Sequence, residues 1–358
     1  MSRSGESGKR ILFICGSLNQ TTQMHQIASQ LPEYEQFFSP YYCDGYLDAA
    51  RKAGLLEWTI LGNKSAARSI AYLKNHGLFI DYQGKKNSYD LVVTCQDLII
   101  PRNIRSSRIV LVQEGMTDAE TLMFRIVRRF PFIPRWLAST SATGLSNRYN
   151  RFCVASEGYR DLFVRKGVRQ EKIEVTGIPN FDDCRKFIEN NFPHKHFVLV
   201  CTSDSRETFA YENRKKFIEK SVRIAAGRQL IFKLHPNENV ERATREINSY
   251  APGALVYTDG KAEEMVANCD ALITRYSSTV YVGLALGKEV YSDFDLEQLK
   301  RLLPIQNGSA ASNIAGICRE LLTEEAVSKV PSRTQPTEPL RMRRVLQTIA
   351  KAVTTEAE

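Results

Sequence analysis

The chain has 358 residues, of which 43% are hydrophobic and 25% charged, and its formal net charge is +9. This composition is typical of a folded protein and excludes a disordered chain, a collagen-like repeat and a small disulfide scaffold. The length exceeds what one hydrophobic core usually serves, so two domains are expected. Three kinds of partner fit the positive charge: nucleic acid, an anionic membrane surface and a phosphate-rich small molecule.

Much of the positive charge lies in one window, residues 121–156. This window contains six arginines and no Asp or Glu, which gives it a charge of +6. In its first half, 121–137, the arginines alternate with Met, Phe, Ile, Trp and Leu. Such a segment fits an anionic bilayer or a lipid-linked acceptor. It equally fits a core-packed segment with a basic solvent face, and the sequence leaves both interpretations open.

The eight cysteines are scattered without a CxxC pair, and four of them lie in or at the end of apolar runs. This pattern favours free, buried thiols in a reducing cytoplasm. The first ten residues are polar, and no apolar run approaches the ~20 residues of a membrane span. We therefore expect a cytoplasmic protein that lies against the inner face of the membrane if residues 121–137 bind lipid.

Short apolar runs alternate with helical patterns from the beginning of the chain. Strands are predicted at 10–15, 37–43, 91–94, 109–113, 152–155 and 173–176. Helices are predicted at 24–31, 66–75 and 156–166. Nearly continuous apolar strands that alternate with helices indicate an α/β domain with a parallel sheet, buried on both faces.

The pattern stops at residues 177–180, where Gly and Pro precede a charged segment, 182–189, that we predict to be a helix. It then resumes with strands at 197–201, 230–234, 254–257, 271–274 and 289–292. Helices are predicted at 241–249, 262–268 and 280–286. The sequence thus predicts two doubly wound, parallel-sheet domains, 1–180 and 181–335. A C-terminal segment, 336–358, contains an amphipathic helix at 340–353 that would pack back on the first domain.

In open parallel sheets, ligands bind at the carboxyl ends of the strands, so the cleft between two such domains is the expected site. Polar side chains follow three strands of the second domain. They are Thr202, Ser203 and Arg206; Lys233, His235 and Pro236; and Arg275, Ser277, Ser278 and Thr279. Each group also has an ordinary interpretation as a turn or a helix N-cap. Together, however, hydroxyls and cations at three strand ends predict a pocket for the phosphates of a nucleotide.

In the first domain, Glu114 follows a predicted strand and precedes Gly115. A carboxylate in this position is a candidate general base, although a solvated loop glutamate is the simpler interpretation. Gly16 and Ser17, after the first strand, would let an acceptor approach closely. The sequence contains no GxGxxG, GxxxxGK[ST], HExxH or CxxC pattern. We therefore expect no dinucleotide cofactor, no P-loop and no catalytic metal.

With these elements in this order, most of the chain resembles GT-B fold proteins, and in particular capsule and teichoic-acid type transferases. Those enzymes carry an acidic-acidic-Gly element, an HP element and a paired-serine element, which correspond here to Gln113-Glu114-Gly115, His235-Pro236 and Ser277-Ser278. The resemblance implies that Glu114 acts as base and that the HP and serine elements bind the donor's phosphate. Because Gln113 occupies the first acidic position, Glu114 alone is left for this role.

The chain also resembles non-hydrolysing UDP-GlcNAc 2-epimerases. The similar segments are residues 175–179, Arg206-Glu207-Thr208-Phe209 and His235-Pro236-Asn237. Two features depart from that family. Arg275-Tyr276-Ser277-Ser278 replaces its Asp-Ser-Gly-Gly pattern, and its second acidic residue has no counterpart in residues 121–156.

Our leading hypothesis is an inverting, metal-independent glycosyltransferase that moves a sugar or sugar-like group from a nucleotide-activated donor to a surface polysaccharide or glycolipid. An epimerase-like isomerase and a non-catalytic basic binding protein are the alternatives. Nucleic acid is the least favoured partner because the basic window matches no nucleic-acid motif. The sequence does not specify the sugar, the nucleotide, the acceptor or the oligomeric state.

Overall fold

The computed structural model describes residues 8–41, 43–54, 62–130, 132–203, 205–207 and 212–324. The predicted helix at 340–353, and the whole segment 336–358, lie outside these residues. The described strands are β1 (Arg10–Ile14), β2 (Glu35–Ser39), β3 (Leu91–Thr94), β4 (Arg108–Val112), β5 (Arg151–Val154), β6 (Ile173–Val175), β7 (Val198–Cys201), β8 (Leu230–Lys233), β9 (Leu255–Tyr257), β10 (Ala271–Thr274) and β11 (Glu289–Tyr291).

These strands form two sheets, with orders β2-β1-β3-β4-β5-β6 and β11-β10-β7-β8-β9. Every pairing between them is parallel. The strand order reverses between β1 and β3 in the first sheet and between β7 and β10 in the second. Such reversals open a crevice at the carboxyl ends of the strands, where ligands of open α/β sheets bind. The two predicted parallel sheets are confirmed.

The helices of the described residues cover the faces of both sheets. They are α1 (Leu18–Ala28), α2 (Gly45–Lys52), α3 (Asn63–Asn75), α4 (Leu122–Arg129), α5 (Glu157–Lys166), α6 (Arg214–Ala225), α7 (Val240–Tyr250), α8 (Ala262–Asn268), α9 (Thr279–Ala285), α10 (Leu296–Leu302) and α11 (Ala310–Thr323). None of them is long and apolar enough to cross a membrane.

Two helix predictions differ from the structure. Helix α1 begins six residues before the predicted start because Ser17 caps it, its hydroxyl accepting the N–H of Gln20. The predicted helix at 182–189 is wrong, since only a short 3₁₀ turn, Cys184–Phe187, occurs there. Asp183, which precedes this turn, has a left-handed backbone with φ of +50°. The carboxylate of Asp182 instead accepts the N–H groups of Gly308 and Ala310, both at 2.7 Å.

Helix α11 follows the second sheet in sequence but packs against the first. Its residues Ile314 and Cys318 are fully buried in the same cluster as Ile11, Phe13 and Met24. The chain therefore crosses between the sheets twice, before β7 and before α11. Asp182 joins these two crossings through the hydrogen bonds that cap the start of α11.

The two halves also meet through helices α5, α9 and α10. The hydroxyls of Tyr159 in α5 and Tyr281 in α9 lie 2.6 Å apart and are buried. The hydroxyl of Ser156 donates to the carbonyl of Leu302 in α10 at 3.2 Å. Gly158 of α5 lies so close to α10 that a Cβ there would overlap the carbonyl oxygen of Arg301. A glycine is required at this position because two backbones touch.

This contact makes Gly158→Ala a test of the packing between the halves. The added methyl group must push α5 away from α10, and we expect the free energy of unfolding to fall by about 1–3 kcal/mol. Gly316→Ala in α11 is the matched control, because no atom lies within 4 Å of its added Cβ. That control should be neutral or more stable by up to about 1 kcal/mol, since alanine favours helix. Urea unfolding measures the free energy of unfolding of both variants. Equal stability of Gly158→Ala and Gly316→Ala would contradict the close contact.

Candidate active site

Glu114 lies just beyond β4 and is held by the beginning of α1. Its Oε1 accepts hydrogen bonds from the Ser17 hydroxyl at 3.0 Å and from Asn19 Nδ2 at 3.4 Å. Its Oε2 accepts a hydrogen bond from Gln20 Nε2 at 2.6 Å. Ser17, which with Gly16 was predicted on the acceptor side, therefore lies beside Glu114 at the crevice of the first sheet. The carboxylate is half-buried and its orientation is fixed by three neutral donors.

Gln113 is an internal support of the same turn. Its side chain is buried: Nε2 donates to the carbonyl of Gly115 at 2.7 Å, and Oε1 accepts the N–H of Ala155 at 2.9 Å. One amide therefore satisfies a donor and an acceptor of the backbone. A carboxylate could not donate to Gly115, so the replacement of an acid by Gln113 changes the support of the turn as well as its charge.

Gly115 brings this turn against the second half of the chain. A Cβ built on Gly115 would lie 3.9 Å from Cβ of Ser278 and 3.4 Å from the ring of Phe181. The turn that carries Glu114 and the turn that carries the paired serines thus face each other directly. Gly115, predicted on the side of the acceptor substrate, and Ser278, predicted on the side of the donor substrate, thus lie next to each other across the cleft.

The serine turn after β10 carries three hydroxyl side chains, Ser277, Ser278 and Thr279, which differ in their hydrogen bonds. Ser277 Oγ accepts hydrogen bonds from Thr279 N at 3.3 Å and from the Thr279 hydroxyl at 2.9 Å. Ser278 precedes α9 but makes no side-chain capping bond. All three side chains are half-buried. Ser278 therefore offers a hydroxyl at the point where the turn approaches Gly115.

His235 follows β8 in a turn with exposed Pro236. Its N–H lies 3.1 Å from both the Thr202 hydroxyl oxygen and Glu238 Oε2. Its Nδ1 accepts the N–H of Asn237 at 3.3 Å. An accepting Nδ1 carries no proton, so the neutral ring has its proton on Nε2 and can donate from there.

Several predicted phosphate ligands are engaged within the protein. Arg206 forms a bidentate pair with Glu246, with both distances 2.9 Å. Arg275 Nε lies 2.8 Å from Asp293 Oδ2. The ammonium of Lys233 donates to the carbonyls of Leu234 and Thr258, and burial lowers its pKa. In the described structure these three cations stabilise the loops around the crevice, and the hydroxyls and His235 are the groups placed at its edge.

Thr202 and Ser203 likewise point to internal partners. The Thr202 hydroxyl donates to Glu238, and the Ser203 hydroxyl donates to Glu212 Oε2 at 3.1 Å. Sequence reasoning missed these two carboxylates and Arg214, which lies between them. The only signal was the occurrence of charged residues close to predicted strand ends, which is also typical of solvated loops.

The first part of the basic window forms α4 and the turn after it. Phe124, Val127, Ile133 and Ala138 face inward and form a small cluster of their own. Six large apolar side chains of the same segment are exposed: Leu122, Met123, Phe130, Phe132, Trp136 and Leu137. One face of this segment therefore packs, as the core-packed interpretation predicts, and the other presents apolar and basic groups to solvent. The membrane interpretation stays a prediction.

No protein-family model and no curated protein sequence matches this chain. Solved structures do resemble it. The S. aureus MnaA–UDP co-structure aligns over 88% of this chain and 89% of its own, with 12% identity and a TM-score of 0.52. UDP-GlcNAc 2-epimerase from Neisseria meningitidis bound to UDP-GlcNAc aligns over 88% and 92%, with 11% identity and a TM-score of 0.50. The wall teichoic acid polymerase TagF aligns over 89% and 90%, with 11% identity and a TM-score of 0.47.

The two alignments with TM-scores of 0.50 and 0.52 each cover 88% of this chain. With the two parallel sheets, the likeness confirms the predicted class: a two-domain, Rossmann-like GT-B fold. At these identities the likeness shows the fold alone. Among the described residues, no group of three or more His, Cys, Asp or Glu side chains could hold a metal ion.

The support that Gln113 gives to the turn can be tested with Gln113→Glu. The new carboxylate would face the carbonyl of Gly115 without a proton to donate, and an unsatisfied buried group costs about 1–3 kcal/mol, or more when charged. We expect the free energy of unfolding at pH 7 to fall by at least that amount. Gln170→Glu, at an exposed position, is the control. A Gln113→Glu variant as stable as the control would show that the amide is dispensable.

Proposed function

We propose that this protein transfers a group, most simply a sugar, from a nucleotide-activated donor to an acceptor hydroxyl, without a metal. The observation that carries the proposal is the contact between the Glu114–Gly115 turn and the Ser277–Ser278 turn. One of the two facing turns carries a carboxylate and the other carries hydroxyls, so we infer that an acceptor and a donor phosphate meet where these turns approach each other.

Glu114 accepts the proton of the acceptor hydroxyl in this mechanism. The hydrogen bonds from Ser17, Asn19 and Gln20 hold its carboxylate in place before the acceptor arrives. Such fixed geometry is what a general base requires. The acceptor oxygen then attacks the donor carbon, and the bond from that carbon to the phosphate oxygen breaks with inversion.

The leaving phosphate gains negative charge, and donors that already point at it stabilise that charge. His235 supplies an N–H from Nε2, and Ser277 and Ser278 supply hydroxyl protons. Thr279, whose hydroxyl donates to Ser277, supports the serine turn. Since Arg206, Arg275 and Lys233 are held by internal partners, we assign the direct contacts to these neutral donors and an electrostatic contribution to the cations. The UDP and UDP-GlcNAc in the two neighbour structures support a nucleotide-activated donor.

Epimerisation of a nucleotide sugar is the second candidate, because a UDP-GlcNAc 2-epimerase is among the neighbours, with a TM-score of 0.50. That reaction needs a second acid or base for the return of the proton. The stretch 121–156 after the Glu114 turn contains no carboxylate. Formation of an epimer from UDP-GlcNAc without any acceptor would favour this candidate over transfer.

The variant Glu114→Gln tests the base. Loss of a general base slows turnover by about 10²–10⁴-fold, whereas nucleotide affinity should change little because Glu114 lies on the acceptor side. Donor class is first identified by thermal shift with UDP, CMP, CDP, GDP and dTDP, and turnover is then followed as nucleotide release from the matching activated sugar. Glu120→Gln, exposed on the same loop, is the control. A Glu114→Gln variant that retains turnover at saturation but loses nucleotide affinity would contradict the assignment.

We further propose that residues 122–137 rest on an anionic membrane and bring the enzyme to a lipid-linked or surface polysaccharide acceptor. Leu122 and Phe132 are 72% and 64% exposed, and the arginines of α4 are exposed beside them. Asp118, four residues after Glu114, binds Thr140 through its side chain at 2.7 Å. The loop that carries the base therefore precedes the proposed membrane segment in the chain and is hydrogen-bonded to the turn that follows it.

Liposome flotation tests this surface. Each arginine near an anionic bilayer contributes about 1 kcal/mol, so Arg125→Gln/Arg128→Gln should lower the partition coefficient by about 30-fold at low salt. The control Arg223→Gln/Arg245→Gln removes the same charge from exposed positions on α6 and α7. Wild-type protein that fails to float with phosphatidylserine or phosphatidylglycerol vesicles at low salt would exclude the membrane proposal without affecting the transfer proposal.

A further inference from the structure

Two carboxylates lie inside the second half of the chain, beneath the three polar loops. The side chains of Glu212 and Glu238 are 1% and 0% exposed, and the guanidinium of Arg214 lies between them. Arg214 Nε is 2.7 Å from Glu212 Oε1, and Nη2 donates to Glu238 Oε1. Burying three ions is costly even when they are paired, and an apolar trio of similar size often stabilises a fold as well. A role in positioning explains this network better than a contribution to stability.

Glu238 joins the loops that follow β7 and β8. Its Oε2 accepts the Thr202 hydroxyl and lies 3.1 Å from the backbone nitrogen of His235. The Thr202 oxygen is also 3.1 Å from that nitrogen. The side chain of Glu238, at the end of this turn, therefore holds the backbone of His235 at its beginning.

The same network reaches the loop after β10. Glu212 Oε2 accepts the Ser203 hydroxyl and lies 3.9 Å from Nη1 of Arg275, which directly precedes the serine turn. Arg214 Nη2 also lies 3.4 Å from the carbonyl oxygen of Ser203. One buried guanidinium and two carboxylates thus connect all three strand ends around the proposed donor site.

We propose that Glu238, balanced by Arg214, is a positioning residue for His235. It fixes the backbone of the turn so that Nδ1 meets the N–H of Asn237, and this contact places the ring proton on Nε2. Glu238 itself does not touch the substrate. The consequence for nucleotide binding rests on the proposed function, whereas the consequence for the His235 ring does not.

The experiment separates these two consequences. In ¹⁵N-histidine-labelled protein, long-range ¹H–¹⁵N spectra report the tautomer of each of the five histidines, and His235→Gln assigns the signal of interest. Glu238→Gln removes the charge of the carboxylate. Thr202→Val, which is close in shape, removes the hydroxyl that bridges Glu238 and His235 and serves if Glu238→Gln does not fold. Glu219→Gln, a half-exposed carboxylate on α6, is the matched control.

We expect wild type and Glu219→Gln to show the Nε2-protonated tautomer in the neutral form of His235. Glu238→Gln and Thr202→Val should move the signal toward a mixture of tautomers and weaken the binding of UDP or CDP, measured by calorimetry, at least tenfold. An unchanged His235 signal in both variants would overturn the positioning role. If wild type binds neither nucleotide, the proposed donor fails, and the tautomer measurement alone still decides whether Glu238 positions the ring.

Discussion

The geometry of the cleft depends on the carboxylate of Asp182. Its two oxygens take the N–H groups of Gly308 and Ala310, so the first crossing between the sheets holds the second at the start of α11. Because α11 then packs into the core of the first sheet, the two halves are connected by two covalent segments that are also bonded to each other. This restraint holds the carboxyl ends of the two sheets opposite each other. The approach of Gly115 to Ser278 depends on it.

The two sides of the cleft use their polar groups differently. In the first half, neutral donors at the beginning of α1 converge on one carboxylate, Glu114. In the second half, several charged residues pair with each other inside the domain, and hydroxyls and one imidazole lie at the edge. Binding a phosphate through neutral donors costs less reorganisation than extracting a guanidinium from its carboxylate. The internal ion pairs thus hold the loops around the crevice in place and contribute to the electrostatic potential there.

The sequence predicted the inner strands well because β3, β7, β8 and β10 are short apolar runs that are buried throughout, a pattern that depends on neighbours along the chain. The edge strand β2 is partly exposed and lies at Glu35–Ser39 instead of the predicted 37–43. The sequence also brought Glu114 and Ser17 into one site, since the carboxyl ends of parallel strands share an edge. It failed at 182–189, where a charged stretch suggested a helix but Asp182 is bonded to residues 126 and 128 positions away. Glu238, Arg214 and the partners of Arg206 and Arg275 were missed for the same reason: these pairs depend on three-dimensional proximity, which no local spacing encodes.

The pair Tyr159 and Tyr281 has a consequence for the way the two halves are joined. Burial raises the pKa of the Tyr281 hydroxyl to about 12 and raises that of Tyr159 well above its ordinary value. Both hydroxyls therefore remain protonated at any pH that a cell experiences. The join between the halves carries no ionic charge at this point, and its strength is insensitive to acidity and to ionic strength. Changes in pH or salt that alter the charged surfaces of the molecule would leave this buried hydroxyl contact unchanged.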